Sequence, residues 1–377
     1  MIYKKFQDIE LSNLAMGAMR LPVIGGNDSQ IDKAAAFEMV DCAMAHGVNY
    51  YDTAWGYHGG NSEVVLGHAL ARHPREKFYL ADKFPGYDLA NMDKVEEIFE
   101  TQLKKCGVEY FDFYLFHNVC EMNVDGYLDE KFGIYKYLME QKRNGRIRHL
   151  GFSSHGSLEV MERFLDAYGK DMEFCQIQLN YVDWTFQKAK EKAEMLNRRG
   201  LPVWVMEPLR GGKLANLPKR EAALLSGRTA VEWAYRFLQG VPGVTVILSG
   251  ASSLEQMKEN LRIFEKEDPL SGVELARLSE AAEGLMAASA DTVPCTACRY
   301  CVSHCPQGLN IPWLLELYNE HVFTGGGFIA PMALSSLAED KKPSACVGCR
   351  SCERVCPQQI KISEIMAKFG ALLDEKK

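Results

Sequence analysis

The stretch DKVEEIFETQLKKCGVEYFDFYLFH, residues 93–117, joins a helical pattern over Asp93–Cys106 to a short apolar run, Phe111–His117. The first segment is amphipathic and of ordinary helix length. The second is too short for a helix and reads as a strand buried on both faces. Strands of that kind belong in parallel sheets, where a helix must carry the chain back between neighbours. The same unit recurs on either side. Apolar runs stand at Leu14–Met19, Val48–Asp52, Phe78–Lys83, His149–Ser153, Phe174–Leu179, Val203–Glu207 and Thr245–Ser249. Helical patterns lie between them, such as Lys33–His46, Lys131–Asn144, Leu158–Tyr168, Lys188–Arg199, Thr229–Leu238 and Leu254–Phe264. Eight strand-then-helix units predict an α/β fold, a (β/α)8 TIM barrel, filling residues 1–288. Residues 2–9 predict a hairpin or strand that plugs the barrel bottom, and residues 273–287 an added helix. A linker, Ser289–Pro294, leads into a smaller domain over residues 289–377.

That smaller domain holds eight of the chain's twelve cysteines. They fall in two copies of C-x-x-C-x-x-C-x-x-x-C-P: Cys295, Cys298, Cys301 and Cys305, then Cys346, Cys349, Cys352 and Cys356. Zinc prefers two pairs, or a pair with histidines, around one tetrahedral ion. A third cysteine at the same interval and a fourth before proline suit a [4Fe–4S] cube instead. Disulfides fit poorly, because nothing else points to an oxidising compartment. The repeated run resembles that of bacterial two-cluster ferredoxins, in which the fourth cysteine of each run serves the other cluster. The resemblance implies two [4Fe–4S] clusters. One would be held by Cys295, Cys298, Cys301 and Cys356, the other by Cys346, Cys349, Cys352 and Cys305. The spacer between the runs carries a helical pattern, Ile311–Phe323, and a break at Gly325–Gly327, so a mainly helical ferredoxin-like domain is expected.

The net charge of −7 argues against a nucleic-acid partner. No run of about 18 apolar residues appears, so no membrane helix is expected, and the N-terminus lacks the apolar core of a secretory signal. Free thiols and oxygen-sensitive clusters point to the cytoplasm. The single cysteines Cys42, Cys106, Cys120 and Cys175 read as buried small side chains.

Chemistry on such barrels gathers at the carboxyl ends of the strands. Here consecutive strands end in Asp52 (with Tyr57 just beyond), Lys83 and His117. Any one of these alone would more often be structural; together at one rim they mark a site. The surrounding segments, NYYDTAWGYHGGNSEVVLG (49–67), YLADKF (79–84), LKKCGVEYFDFYLFHN (103–118) and GRIRHLGFSSH (145–155), resemble the aldo-keto reductase family. So do CQIQLNY (175–181), VWVMEPLRGG (203–212) and VILSGASSLEQMKENL (246–261). The resemblance covers nearly the whole barrel and implies a catalytic tetrad of Asp52, Tyr57, Lys83 and His117. It implies nicotinamide-binding residues at Ser153, Ser154, Gln176 and Met206, where members often have asparagine at the second and an aromatic at the last. Leu209, Arg210 and Gly211 match the loop crossing the pyrophosphate; Gly250, Ser252, Gln256 and Asn260 match the adenosine end. Members strict for NADPH place cations where Gly250 and Gln256 stand here. The cofactor is therefore expected to be NADP, the family default, or NAD, with Arg210 left as a cation for phosphate. Trp55, Phe84, Asn118 and Trp184, with Met19 and Tyr87, are expected to wall a small or medium, partly apolar carbonyl or alcohol substrate.

Nicotinamide passes two electrons as hydride, whereas a [4Fe–4S] cube passes one at a time. Three readings follow. In the first, the chain is an NAD(P)H-dependent oxidoreductase reducing an aldehyde or ketone, or the reverse, whose clusters are structural, regulatory or a port to ferredoxin or another electron carrier. In the second it is a ferredoxin-linked iron–sulfur redox enzyme, with a converter such as a flavin. In the third it is a nucleotide-binding redox sensor. The intact tetrad favours the first.

Overall fold

Parallel strands β1 (Leu14–Gly17), β2 (Tyr50–Asp52), β3 (Tyr79–Phe84), β4 (Phe111–Val119), β5 (Ile147–Ser154), β6 (Cys175–Gln178), β7 (Val203–Met206) and β8 (Val244–Ser249) form a closed barrel. Closure runs through β8 and β1, with Ile247 opposite Leu14 and Ser249 opposite Met16. The structure is a computed structural model describing residues 1–287, 291–293, 295, 301–356 and 358–374. Two units are distinguished, Met1–Ala282 and Glu283–Lys377. The expected linker lies partly outside the described residues, and Cys298 wholly so.

Each expected strand forms within a few residues of its sequence bounds, and the amphipathic segments between them are the crossover helices. One further helix, Ser62–Leu70, fills the connection between β2 and β3. It shows no apolar stripe because it is buried nearly all round, Glu63 included. Gly67 sits where a Cβ would lie 2.5 Å from the Cys106 carbonyl oxygen, so the helix backs directly onto the neighbouring helix Val95–Cys106. The N-terminal segment is an antiparallel hairpin, Tyr3–Phe6 with Ile9–Ser12, slightly longer than expected. Its Phe6 ring packs 5.2 Å from Trp204 and 5.7 Å from Phe113, closing the lower end of the barrel.

The interior is layered by strand alternation. Tyr50, Ala81, Phe113, Phe174, Trp204 and Val246 fill one apolar core with Phe6 and Leu11. Two residues along each strand repeat the inward direction. Going upward from that layer therefore brings Asp52 on β2, Lys83 on β3, Gln176 on β6 and Met206 on β7 to the carboxyl rim. One layer beyond Leu115 on β4 comes His117. Ladder pairing slips between Phe116 and Val119, where Asn118 has φ 56°, so the strand is irregular where His117 projects.

The second unit has its own core. Leu309, Ile311, Leu314, Leu315, Tyr318, Leu334, Ile362, Met366 and Phe369 bury together with Cys301 and Cys352. Helices Ile311–Thr324, Ile329–Ser335 and Ile362–Asp374 supply most of it. The two cysteine runs repeat in backbone as well as in sequence. A 3-10 turn, Val302–His304 or Glu353–Val355, separates the third and fourth cysteines of each run. Cys305 N then bonds Val302 O, as Cys356 N bonds Glu353 O, each at 3.2 Å. Gly308 (φ 60°) and Gln359 (φ 53°) turn the chain into the helices that follow.

Of the four single cysteines, Cys106, Cys120 and Cys175 are buried, as expected. Cys42 is only half-buried, with its sulfur 3.9 Å from His46 Nδ1, because its helix faces the outside of the barrel there.

Candidate functional site

Lys83 is the centre of the rim. Its Nζ donates to Asp52 Oδ1 at 2.5 Å and to the Thr53 carbonyl at 2.6 Å, in a site from which water is excluded. Thr53 is itself held, its Oγ1 2.9 Å from Ser62 Oγ at the start of the extra helix. The Tyr57 ring lies below the ammonium, 5.1 Å from Nζ to its centroid. His117 stands edge-on to that ring at 6.1 Å, and edge-on to Tyr87 at 5.1 Å. The four groups from β2, the loop after it, β3 and β4 thus meet at one mouth.

Burial works against the Lys83 charge, but Asp52 and Tyr57 outweigh it and hold the ammonium above its usual range. Burial pushes the Tyr57 phenol upward, and the Lys83 ammonium pulls it back. The net direction is up, not the lowering expected from Lys83 alone, because desolvation of the phenolate is the larger effect. Burial, then the Lys83 ammonium, drives His117 well below the usual histidine range, with a smaller push from neighbouring His155. The site therefore holds a charged lysine, a protonated phenol and a neutral imidazole, with His117 Nδ1 buried and without a partner.

Beside the tetrad, Ser153 Oγ accepts the Asn118 backbone N–H at 2.8 Å, and Ser154 Oγ donates to the Val119 carbonyl at 2.7 Å. Gln176 approaches the Met206 sulfur with its Nε2 at 3.7 Å, while its buried Oε1 has no partner. An unpaired amide oxygen in a buried rim costs about 1–3 kcal/mol unless a ligand donor meets it. A nicotinamide carboxamide has such a donor, so these residues fit a nicotinamide. Asn260 and Gln256 serve the chain itself: Asn260 Nδ2 donates to Ser249 Oγ at 2.7 Å, and Gln256 Oε1 accepts from Ser252 N at 2.8 Å. A model of the aldo/keto reductase family matches residues 13–283.

The chain belongs to the aldo/keto reductase family.

Among relatives of this aldo/keto reductase, the NADH-specific methylglyoxal reductase of Escherichia coli K12 is 24% identical over 74% of this chain and 97% of its own length. A probable aldo-keto reductase of Glycine max is 27% identical over 55% of this chain, a match spanning only 58% of the soybean protein. The holo form of an aldo-keto reductase from Bacillus halodurans superposes with a TM-score of 0.61 at 24% identity, covering 74% of this chain and 96% of that one. An aldo-keto reductase from Klebsiella pneumoniae in complex with NADPH gives 0.57 at 21%, covering 74% and 95%. The chain is an aldo/keto reductase-type oxidoreductase on the (β/α)8 fold that binds NAD(P)H. Residues 294–361 match a 4Fe-4S dicluster domain, which supports iron–sulfur clusters in the second unit.

The cysteines of that unit can be compared with the expected ligand sets. Cys305, Cys346, Cys349 and Cys352 line one cavity, with Pro306, Ile311, Ile362 and Met366 as apolar walls. These four form the second set implied by the ferredoxin resemblance, the fourth cysteine of the first run meeting the first three of the second. No group of three or more histidine, cysteine or acidic side chains is gathered for a single metal ion among the described residues. Four cysteines around one cavity fit the kind of cluster that the dicluster match implies. For the other set, Cys298 lies outside the described residues.

Of the expected substrate wall, Tyr87 faces His117 and Asn118 is buried at the rim, whereas Phe84, next to inward-facing Lys83, turns outward and packs 6.2 Å from Tyr127. Trp55 lies under the Lys105 ammonium, 4.5 Å from its ring centre, and Trp184 packs edge-on to Phe237 at 5.6 Å. Met19 is exposed. Arg210, expected to face phosphate, is turned inward: its Nε bonds both Asp183 carboxylate oxygens at 3.1 and 3.2 Å. Gln178 and Asn180 donate to the same carboxylate. Sequence reading passed over Arg20. Its side chain lies across Gly250 and Gly211, two positions expected to bind the nucleotide. The only sequence signal was a cation just beyond the first barrel strand.

Proposed function

We propose that this chain is an NAD(P)H-dependent carbonyl reductase, or the reverse alcohol dehydrogenase, with Tyr57 as proton donor. The buried Asp52–Lys83–Tyr57 arrangement facing a neutral His117 is the observation that carries this reading. When bound, reduced nicotinamide supplies the hydride to the carbonyl carbon. Tyr57 gives its proton to the carbonyl oxygen as negative charge develops there, and Lys83 stabilises the phenolate left behind. Asp52 keeps Lys83 charged and aimed. Neutral His117 orients the carbonyl through a ring N–H without competing as an acid. Gln176, Ser153 and Met206 position the nicotinamide. Tyr87 and Asn118 favour a small or medium, partly apolar carbonyl, the class to which the E. coli relative's named substrate belongs. Residues 1–288 would carry this activity and residues 289–377 two [4Fe–4S] clusters, in the cytoplasm where free thiols persist.

The experiment is stopped-flow oxidation of NAD(P)H by a panel of small aldehydes and ketones, on anaerobically prepared protein with and without its clusters. Turnover that survives gentle cluster removal supports the reading. Loss of turnover in a barrel that remains folded and binds nucleotide makes the clusters part of the reaction.

The exposure of Cys349 favours a second reading, because a cluster in its cavity would lie at the surface of its unit. Such a cluster is placed to exchange single electrons with ferredoxin or another carrier. Substrate turnover driven by reduced ferredoxin without NAD(P)H is the outcome that selects this alternative.

A further inference from the structure

Arg20 stands in the short turn Ala18–Arg20, directly after β1. Its backbone carbonyl is fixed by Ser252 Oγ, which donates at 2.8 Å. From there the side chain crosses two glycines. A Cβ on Gly250 would come within 3.2 Å of Arg20 Cδ, and one on Gly211 within 3.2 Å of its Nη2. The guanidinium ends 3.7 Å from the Glu207 carboxylate, with Arg20 44% and Glu207 22% exposed at the side chain. Glu207 is held at φ 56°, and its carbonyl accepts from Asn180 Nδ2 at 3.0 Å, so its backbone is fixed by the loop after β6.

This arrangement changes the electrostatics of the nucleotide trench. Gly250 and Gln256 supply no cation at the adenosine end, and Arg210 is turned inward with its Nε on Asp183. Arg20 brings a half-exposed guanidinium to the same trench from the end of β1, the strand that closes the barrel against β8. Its contact with Glu207 is too long for a strong hydrogen bond. A guanidinium presents a planar fork that matches phosphate oxygens. A side chain at either glycine would crowd Arg20 and push it aside by a few tenths of an ångström.

We propose that Arg20, rather than Arg210, is the cation that receives the dinucleotide pyrophosphate, and that Glu207 holds it across the trench until nucleotide binds. This rests on the reading that Gly211 and Gly250 flank the nucleotide. The guanidinium lies at Gly211, on the pyrophosphate side, so its contribution is common to NADH and NADPH. Glu207, an anion facing the same path, opposes the pyrophosphate and competes for Arg20.

The test is titration of NADH and NADPH into the purified full-length protein, followed by tryptophan fluorescence and calorimetry, with no substrate present. Arg20→Ala should weaken both nucleotides by a similar factor, about 10- to 100-fold. Arg20→Lys should fall between, since it keeps the charge and loses the fork. Glu207→Gln should shift the other way, tightening both by a few-fold, a gain that misfolding does not produce. If wild type binds nucleotide and Arg20→Ala binds equally well, the proposal is overturned while the nucleotide reading stands. If Arg20→Ala loses NADPH alone, the guanidinium serves the 2′-phosphate and the pyrophosphate assignment is overturned. If wild type binds neither nucleotide, the underlying reading fails with it.

Discussion

Lys83 keeps its proton in a dry site only because Asp52 and Tyr57 together outweigh the cost of burying an ammonium. That balance decides which substitution is informative. Lys83→Met would leave the Asp52 carboxylate buried without its partner, a cost of about 3–5 kcal/mol, and would confuse folding with chemistry. Tyr57→Phe removes one hydroxyl and keeps the ring under the ammonium. We expect it to lower kcat by about 10²–10⁴-fold with nucleotide affinity unchanged, measured by single turnover and fluorescence titration. Retention of full kcat would remove Tyr57 as the proton donor. His117 makes a prediction in pH. Its folded-state affinity for protons lies well below that of an exposed histidine. The unfolded chain therefore binds the extra proton first, and the stability that neutral His117 contributes, present above about pH 6.5, declines as pH falls below it. The pH profile of kcat/KM should show no histidine limb near about 6.5, and imidazole NMR shifts should not titrate there. The four rim residues were legible because a period of two aims each one inward at a strand end, beside motifs long enough to recognise. Arg20 was not legible, because its partners Gly211, Gly250 and Glu207 lie about two hundred positions away and only barrel closure brings them together. The inward turn of Arg210 was hidden for the same reason, since Asp183 gives no local sign of being a buried counterion.

Between the elements, one contact departs from what periodicity can report. The helix Ser62–Leu70 has no polar face, because helix Val95–Cys106 covers one side and the barrel another. Gly67 makes that possible. Gly67→Ala would place a methyl 2.5 Å from a backbone oxygen, where no side chain can yield. The helix would have to shift, costing about 1–3 kcal/mol, and Ser62, which holds Thr53 beside Lys83, would move with it. The expected result is a lower urea midpoint together with reduced kcat; an unchanged midpoint would mean that the helices separate freely. A second contact fixes the plug. Glu173 accepts from Gln7 of the hairpin at 2.6 Å and from His149 at 2.8 Å, and also pairs with Lys142. Burial raises this carboxyl, but the hydrogen bonds from His149, Lys142 and Gln7 prevail and bring it to about 2. A depressed carboxyl stabilises above its unfolded pKa of about 4.3 and loses that contribution as pH falls toward about 2. Glu173→Gln should cost about 1–2 kcal/mol at neutral pH and little near pH 2, read from thermal melts across that window. Alternation of apolar and amphipathic segments made the barrel legible, and missed the helix Ser62–Leu70, which is buried nearly all round, and short loop helices such as Val124–Leu128 and Lys219–Leu224.

At the scale of the whole molecule, the two cysteine runs raise a question of pairing that spacing alone leaves open. Sequence order groups Cys305 with Cys295, Cys298 and Cys301. The fold places Cys305 around a cavity with Cys346, Cys349 and Cys352, after the 3-10 turn that follows Cys301. Cys356 follows the repeated turn Glu353–Val355 in the same way. Thiolate–iron bonds that cross in this way would tie the first run to the second, and each cluster would then support the core formed by Ile311, Ile362, Met366 and Phe369. The arrangement makes a prediction that ordering by sequence does not. Cys305→Ala and Cys346→Ala should damage the same cluster. Each alone should lower anaerobic iron from about eight to about four per chain, and the double variant should lose no more. Cys305→Ala combined with Cys295→Ala should remove both clusters. Iron and sulfide counts with EPR of the reduced protein distinguish the two patterns. If instead Cys305→Ala and Cys295→Ala prove to share a cluster, each run keeps its own cube and the cavity lined by Cys305 is not a cluster site. Because the barrel has a separate core, nucleotide affinity should survive in every one of these variants, and its loss would show that the clusters support the barrel as well as their own unit.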